Sequence, residues 1–226
     1  MKKIQPDIPR SECIRCGTCC KKGGPCFHHE DYIMIEKGII LLKHLYTIRK
    51  GEMAYENVRG GLVPVPSDII KIKGRKDSWA CMFFDEKENN CTIYENRPLE
   101  CRVLKCWDTR EIEQIYTENR LTRKDILSDI EGLWGLIQDH QSRCDYEKIG
   151  YLVKGLDGDK KNDAFENLLE IIQYDAHIRS LIVEKSGTDP QIMDFLLGRP
   201  LTETIKMFGV KVEKQGEHFS IRLNRI

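Results

Sequence analysis

The chain has 226 residues, enough for one large domain or two small ones, and 40% of them are apolar. Its 36 lysine and arginine residues equal its 36 aspartate and glutamate residues, so no overall positive field recruits nucleic acid or an acidic membrane. No apolar run approaches the roughly 18–20 residues that span a bilayer, and the N-terminus lacks the apolar stretch of a signal peptide. We therefore expect a cytoplasmic chain with no nucleic-acid or membrane partner.

The first half of the chain alternates helical and extended patterns. Residues 30–50 follow a helical apolar pattern, with a break expected at Gly38. Residues 63–66 are extended by their prolines, and residues 69–73 alternate apolar and basic side chains, as edge strands do. Two short β-type runs, 79–84 and 91–94, flank a polar stretch and predict a hairpin.

The second half is mostly helical in pattern. Thr122 and Asn162 are suitable caps for helices that end near residues 140 and 185. A shorter helix is predicted to start near Pro190, and residues 210–223 predict a terminal hairpin.

These elements predict an α+β fold, mostly helical, with short β-hairpins around a cysteine-ligated metal site. We expect residues 1–145 to form a cysteine-cluster domain. Residues 146–226 would form a helical extension that ends in a hairpin and packs on the first domain.

Ten cysteines are the most informative feature of the composition. In a reducing cytoplasm, cysteines at short spacing indicate metal ligation or redox catalysis rather than disulfides. Four of them, at positions 13, 16, 19 and 20, lie within eight residues. Each Cys-x-x-Cys turn directs two sulfurs towards one metal, and Gly17 can take a positive φ that frees backbone N–H groups to point at sulfur.

Further ligands must come from later in the chain. Three cysteines follow at ten-residue intervals across the predicted hairpin, and one more comes after a predicted helix. We predict eight metal ligands: Cys13, Cys16, Cys19, Cys20, Cys81, Cys91, Cys101 and Cys144. Cys26 and Cys106 are left over, and burial as small apolar side chains explains them as well as ligation does.

Basic residues lie beside these cysteines: Arg15, Lys21, Lys22, Arg97, Arg102, Lys105 and Arg143. Their charge would offset that of a thiolate-bound metal and lower the pKa of the thiols. An ordinary charged surface explains them equally well.

The motif Cys-Ile-Arg-Cys-Gly-Thr-Cys-Cys at residues 13–20 resembles the opening motif of the YkgJ-type cysteine-cluster family, described as a zinc- or iron-chelating domain. Residues 91–102 resemble its second signature, and Cys81 and Cys144 lie where the family has a preceding and a final cysteine. The resemblance covers roughly the first two-thirds of the chain and implies that the family's eight cysteines chelate zinc or iron. Some longer relatives are flagellin lysine methylases with an iron–sulfur cluster. This chain shows no glycine-rich nucleotide loop, so its own residues do not support methyl transfer.

The spacing favours a [4Fe–4S] cluster over zinc. Structural zinc usually takes two pairs of closely spaced ligands, and only residues 13–20 supply short spacing here. Three cysteines at Cys-x-x-Cys spacing with a remote fourth are closer to ferredoxin-type ligation. One cluster together with one zinc also fits eight ligands.

Histidines offer further ligands. His28 and His29 either complete a site or begin a helix, and the acidic residues that follow them favour the helix start. His140, four residues before Cys144, is a further candidate. In the last third, one stretch could form a polar pocket, although no chemistry is assigned there; its residues are Tyr174, Asp175, His177 and Arg179.

Three functions follow from these features. The first is a protein that binds, stores or transfers metal. The second is an iron–sulfur-dependent redox or protein-modifying enzyme. The third is a zinc-stabilised interaction module with a protein partner. The sequence alone leaves open whether the chain is an enzyme.

Overall fold

The computed structural model describes residues 13–76, 78–158, 161–216 and 218–223. Residues 1–12, on which the expectation of a missing signal peptide rests, lie outside these ranges. The described chain has the predicted α+β fold, with many helices and small antiparallel strand pairs. Within these ranges, none of the helices combines the length and the apolar composition that crossing a membrane requires.

The described helices are short except for three in the second half of the chain, α5, α6 and α7. They are α1 (Tyr32–Glu36), α2 (Leu99–Val103), α3 (Arg110–Ile115), α4 (Arg123–Leu127), α5 (Glu131–Arg143), α6 (Tyr146–Gly155), α7 (Lys161–Ser186), α8 (Met193–Leu196) and α9 (Leu201–Thr204). The strands are β1 (Leu45–Ile48), β2 (Met53–Tyr55), β3 (Leu62–Pro64), β4 (Ile69–Ile72), β5 (Phe84–Asp85), β6 (Asn90–Cys91), β7 (Val210–Gln215) and β8 (His218–Leu223). In the described chain they form four antiparallel pairs: β1–β4, β2–β3, β5–β6 and β7–β8.

The predicted helix over residues 30–50 is wrong in its second half. Helix α1 ends at Glu36, and Gly38 then adopts a φ of +66°. The chain continues into β1, whose Leu45 and Ile48 pair with Ile72 and Ile69 of β4. The same apolar residues therefore enter the core from a strand, because a partner strand is present.

The cap at Thr122 is confirmed, since Thr122 and Asp125 exchange a reciprocal pair of hydrogen bonds at the start of α4. The predicted helix from Thr122 stops at Leu127, however, and restarts as α5.

The other predicted elements form with different bounds in two cases. The long helix α7 begins at Lys161, so Asn162 lies inside the helix and does not cap it. A hairpin joins the two predicted β-type runs, but each of its strands, β5 and β6, has only two residues. The terminal hairpin β7–β8 forms as predicted.

Two hydrophobic clusters make up most of the core. The first includes Phe27, Leu45 and Ile70 from the first half of the chain and Phe195 from α8. Thr47 of β1 donates a hydrogen bond to the Phe195 carbonyl at 2.7 Å. The second cluster is built around α6 and α7 and includes the buried Cys144. Because α8 belongs to the first cluster, part of the last third packs against the cysteine-rich half, and the boundary at residues 145/146 stays a prediction.

Buried carboxylates fix helix α2, which carries Cys101. Asp31 is 1% exposed, and its two oxygens accept from the backbone N–H groups of His28 and Leu99 at 3.0 and 2.7 Å. The second contact satisfies the first N–H of α2. Glu100 accepts from the Cys26 N–H at 2.7 Å on the other side. Together these bonds tie α2 to the segment that precedes α1.

Asp31→Asn should destabilise the fold by about 1–3 kcal/mol, because an amide keeps one acceptor and turns a donor towards a buried N–H. Urea unfolding followed by circular dichroism measures this loss. Glu30→Gln is the matched control, since the neighbouring Glu30 is exposed and the change removes the same charge. Equal midpoints for the two variants would show that Asp31 does not anchor α2.

Candidate metal centre

The Cys-x-x-Cys-x-x-Cys-Cys segment lies on the hairpin β5–β6. Gly17 has a φ of +72°, and a Cβ built there would lie 2.5 Å from the Phe84 ring and 2.8 Å from Asn89 Oδ1. Asn89 donates from Nδ2 to the Arg15 carbonyl at 2.8 Å. Glycine is therefore required at position 17 both for the backbone conformation and for the close approach of the hairpin.

This docking brings Cys81 and Cys91 to the segment. The Cys81 N–H donates to the Cys20 carbonyl at 2.7 Å, which joins the start of the hairpin to the end of the motif. Cys91 is the last residue of β6 and pairs with Phe84, the residue that packs on Gly17. Two distant predicted ligands thus reach the motif through a single hairpin.

Five thiols are close enough to influence one another, and we call them the thiol cluster: Cys19, Cys20, Cys81, Cys91 and Cys101. The interaction between the adjacent thiols of Cys19 and Cys20 lowers the pKa of Cys19 to about 6 and raises that of Cys20. Burial raises the pKa of Cys101 and Cys81, and neighbouring cysteines raise both further. Three separate stretches of chain therefore contribute sulfurs to one place.

Cys13 and Cys16, the first two cysteines of the motif, are both exposed. The Cys16 thiol donates to Thr18 Oγ1 at 3.3 Å, and hydrogen bonds with Thr18 lower the pKa of Cys16. The charge of Cys19 acts on Cys16 as well, so the first part of the motif adjoins the cluster. Cys13 accepts from the Arg15 N–H at 3.4 Å.

Two arginines border the thiol cluster. Arg15 and Arg97 hold their guanidinium carbons 4.0 and 3.7 Å from the centre of the Tyr94 ring, which is within cation–π range. Arg97 is also one of the groups that lower the pKa of Cys19. Of the basic residues predicted to lie beside the cysteines, Arg97 is therefore close enough to the thiol cluster to act on one of its thiols.

Cys144 lies apart from the thiol cluster. It is completely buried at the end of α5, in the second hydrophobic cluster, and the charged groups that act on its thiol are Asp175, Arg49, Arg179 and Lys148. Burial raises the pKa of Cys144 to about 12. Its assignment as a metal ligand stays a prediction, and its neighbours are not the other seven cysteines.

The remaining candidates have other environments. Cys26 is buried, with its sulfur 3.4 Å from Lys71 Nζ, and Cys106 is exposed. His28 is buried and places Nδ1 2.8 Å from the Glu118 carbonyl. The helix-start interpretation of His28 and His29 is confirmed, because a 3-10 helix begins at His29 and leads into α1.

Sequence reasoning missed the residues that position the cluster. Phe84 and Asn89 hold the motif, and Asp31 and Glu100 hold α2. No signal at these positions reveals such contacts, since each partner lies far away along the chain. Phe84, Asn89 and Glu100 lie near cysteines that the spacing singles out, but the spacing does not reveal their contacts.

Comparisons with known proteins bear on this geometry. A family model described as "CxxCxxCC: Putative zinc- or iron-chelating domain" matches residues 12–124, half of the chain. The matched range includes seven of the eight predicted ligands and ends before Cys144. No curated protein and no solved structure gave a match. Because the family match spans half of the chain and contains the whole thiol cluster, the chain belongs to the CxxCxxCC family of zinc- or iron-chelating domains.

Proposed function

We propose that the thiol cluster binds an iron–sulfur cluster of the [4Fe–4S] type, and that metal binding by these cysteines is the function of the matched region. The observation that carries the proposal is the convergence of sulfurs from the 13–20 motif, the β5–β6 hairpin and α2. Cys13 and Cys16, which are both exposed, are further ligands in this proposal. In this proposal the metal-binding protein is favoured over the enzyme and the interaction module, since no residue group at the cluster indicates a substrate.

The spacing of the cysteines along the chain supports an inorganic cluster over a single zinc ion. Structural zinc usually takes two pairs of closely spaced ligands, and only residues 13–20 supply short spacing here. Three cysteines at Cys-x-x-Cys spacing with ligands from later in the chain are closer to the ligation of a ferredoxin-type cubane.

The motif needs the metal to hold its place. Between residues 13 and 24, only Gly17 and Gly24 are buried, so apolar burial contributes little to this segment. Ligation by cysteines from three segments would supply the missing free energy, as metal binding does in small metal-dependent domains. Loss of the metal should therefore release the motif while the two hydrophobic clusters persist.

Protein purified without oxygen should carry iron and inorganic sulfide and show the broad visible absorption of an iron–sulfur chromophore. Metal and sulfide analysis of the same sample makes the test quantitative. A colourless protein with stoichiometric zinc would contradict the iron–sulfur assignment and leave thiolate ligation of zinc as the function.

Cys101→Ser and Cys16→Ser should each lose metal, because each removes a thiolate from the proposed ligand supply. Cys106→Ser is the matched control, since Cys106 is exposed and lies outside the thiol cluster. Metal content per chain after anaerobic purification is the measurement. Full occupancy in Cys101→Ser or in Cys16→Ser would remove that cysteine from the ligand set.

Gly17→Ala should lower metal occupancy without changing any sulfur, because the new Cβ would collide with Phe84 and strain a positive φ. Gly132→Ala serves as the control: a Cβ there meets no atom within 4 Å. The measurements are the metal content per chain and the midpoint of thermal unfolding of both variants. If Gly17→Ala binds metal as fully as Gly132→Ala, docking of the motif on the hairpin is not needed for the site.

A further inference from the structure

An exposed tryptophan lies beside the thiol cluster. Trp79 is 72% exposed and comes two residues before Cys81. Its backbone φ is +57°, in a region that bulky residues rarely adopt, and strain of this kind clusters at functional sites. Exposed basic side chains lie on the two segments that meet at this tryptophan. Together with Trp79 they form what we call the basic patch: Lys21, Lys22, Arg75 and Lys76.

We propose that the basic patch is the docking surface of an acidic protein that passes electrons to the iron–sulfur group of the thiol cluster. The inference rests on the iron–sulfur function proposed above and adds the kind of partner that such a group needs. In the exchange, one electron moves from the reduced partner to the oxidised iron–sulfur group. The partner is oxidised by one electron, and no bond forms or breaks.

Short backbone contacts hold the turn that presents Trp79. The Trp79 N–H donates to the Arg75 carbonyl at 3.1 Å, and the Arg75 N–H donates to the Ala80 carbonyl at 2.7 Å. A Cβ built at Gly74 would lie 2.8 Å from the Trp79 carbonyl oxygen, so the turn leaves no room for a side chain there. The indole is therefore exposed from a closed turn with a defined backbone.

This turn lies against the cysteine motif. A Cβ built at Gly23 would lie 3.7 Å from the Trp79 carbonyl oxygen, and the Cys81 N–H donates to the Cys20 carbonyl at 2.7 Å. Burial raises the pKa of Cys81, and the positive charge of Arg75 is one of the influences that act against this rise. A protein docked on the basic patch would therefore lie beside the thiols that bind the metal.

The local charge selects an acidic partner. Residues 13–24 contain three basic residues and no acidic one, and residues 71–79 contain four basic residues and one acidic one, in a chain whose total charges balance. Within the described residues, no ion pair engages a basic side chain of the patch. Cations of this kind accelerate the encounter with a protein of opposite charge.

The composition of the patch fits a transient complex. Electron-transfer complexes bury small interfaces, roughly below 1,200 Å², and tryptophan often carries much of the binding energy of an interface. Trp79 supplies apolar contact, and the cations steer the partner. A nucleic acid fits less well, because the neighbouring turn at residues 85–88 has three acidic residues and would repel its phosphates. Glu86 of this turn accepts from Ser78 Oγ at 3.4 Å, which places a negative charge at the edge of the patch.

The test follows reduction of the full-length, iron-loaded chain by a reduced flavodoxin with an acidic surface, in an anaerobic stopped-flow instrument. The rate for wild type should fall at least about tenfold as ionic strength rises from about 0.01 to 0.5 M, since salt screens the steering. Trp79→Ala and the double variant Lys21→Gln/Lys22→Gln should each react at least about fivefold more slowly at low salt. Tyr151→Ala and Lys185→Gln are the matched controls, since both side chains are exposed on α6 and α7, and they should react as wild type does.

Iron content and reduction by dithionite separate docking from damage to the metal site. Every variant should hold as much iron as wild type and be reduced by dithionite to the same extent. Iron-loaded variants that accept electrons from the flavodoxin at the wild-type rate would overturn the docking surface and leave the iron–sulfur function standing. A wild-type chain without iron would overturn both. If the double variant loses binding to duplex DNA while its reduction by flavodoxin is unchanged, the patch serves a nucleic acid and the proposal fails.

Discussion

The contact of the 13–20 motif with the β5–β6 hairpin is the constraint on which the metal site depends. Sulfurs that are more than sixty residues apart in sequence meet because Gly17 leaves room for Phe84 and Asn89 binds the Arg15 carbonyl. The backbone bond from Cys81 to Cys20 closes the same contact. Neighbouring thiols and burial raise the pKa of Cys20 and of Cys101, so a cation is needed to hold these two as thiolates.

Buried polar groups join other elements of the fold through hydrogen bonds. Asp31 and Glu100 fix the helix that carries Cys101, because each accepts a hydrogen bond from a backbone N–H group. At the other end of the molecule, Asp175 binds His140, Arg179 and the Leu201 N–H, which joins α5, α7 and α9. Among the described residues, the buried side-chain atoms without a hydrogen-bond partner belong to Arg49, Arg120 and His140. Such atoms are uncommon in folded proteins, so most of the buried polar groups here are paired.

The sequence predicts well what local residues decide. Helix α7, the cap at Thr122 and the hairpin β7–β8 follow from periodicity, side-chain capping and a turn glycine. Distant partners decide the rest: residues 45–48 become a strand because β4 is available to pair with it. Cysteine spacing indicates that the thiols share a metal, but it cannot place Cys144. That position depends on how α5 packs against α7, and the resulting neighbours are His140 and Asp175.

Alkylation of individual cysteines tests the central claim most directly, because Cys19 and Cys106 are both exposed and only Cys19 belongs to the thiol cluster. The metal-loaded protein is treated with iodoacetamide before and after chelation, and modification is read by peptide mass spectrometry. Cys19 should be protected in the loaded protein. After chelation Cys19 should be labelled as Cys106 is, because its sulfur is no longer bound to the metal. Equal labelling of Cys19 and Cys106 in the loaded protein would show that the cluster does not ligate the metal.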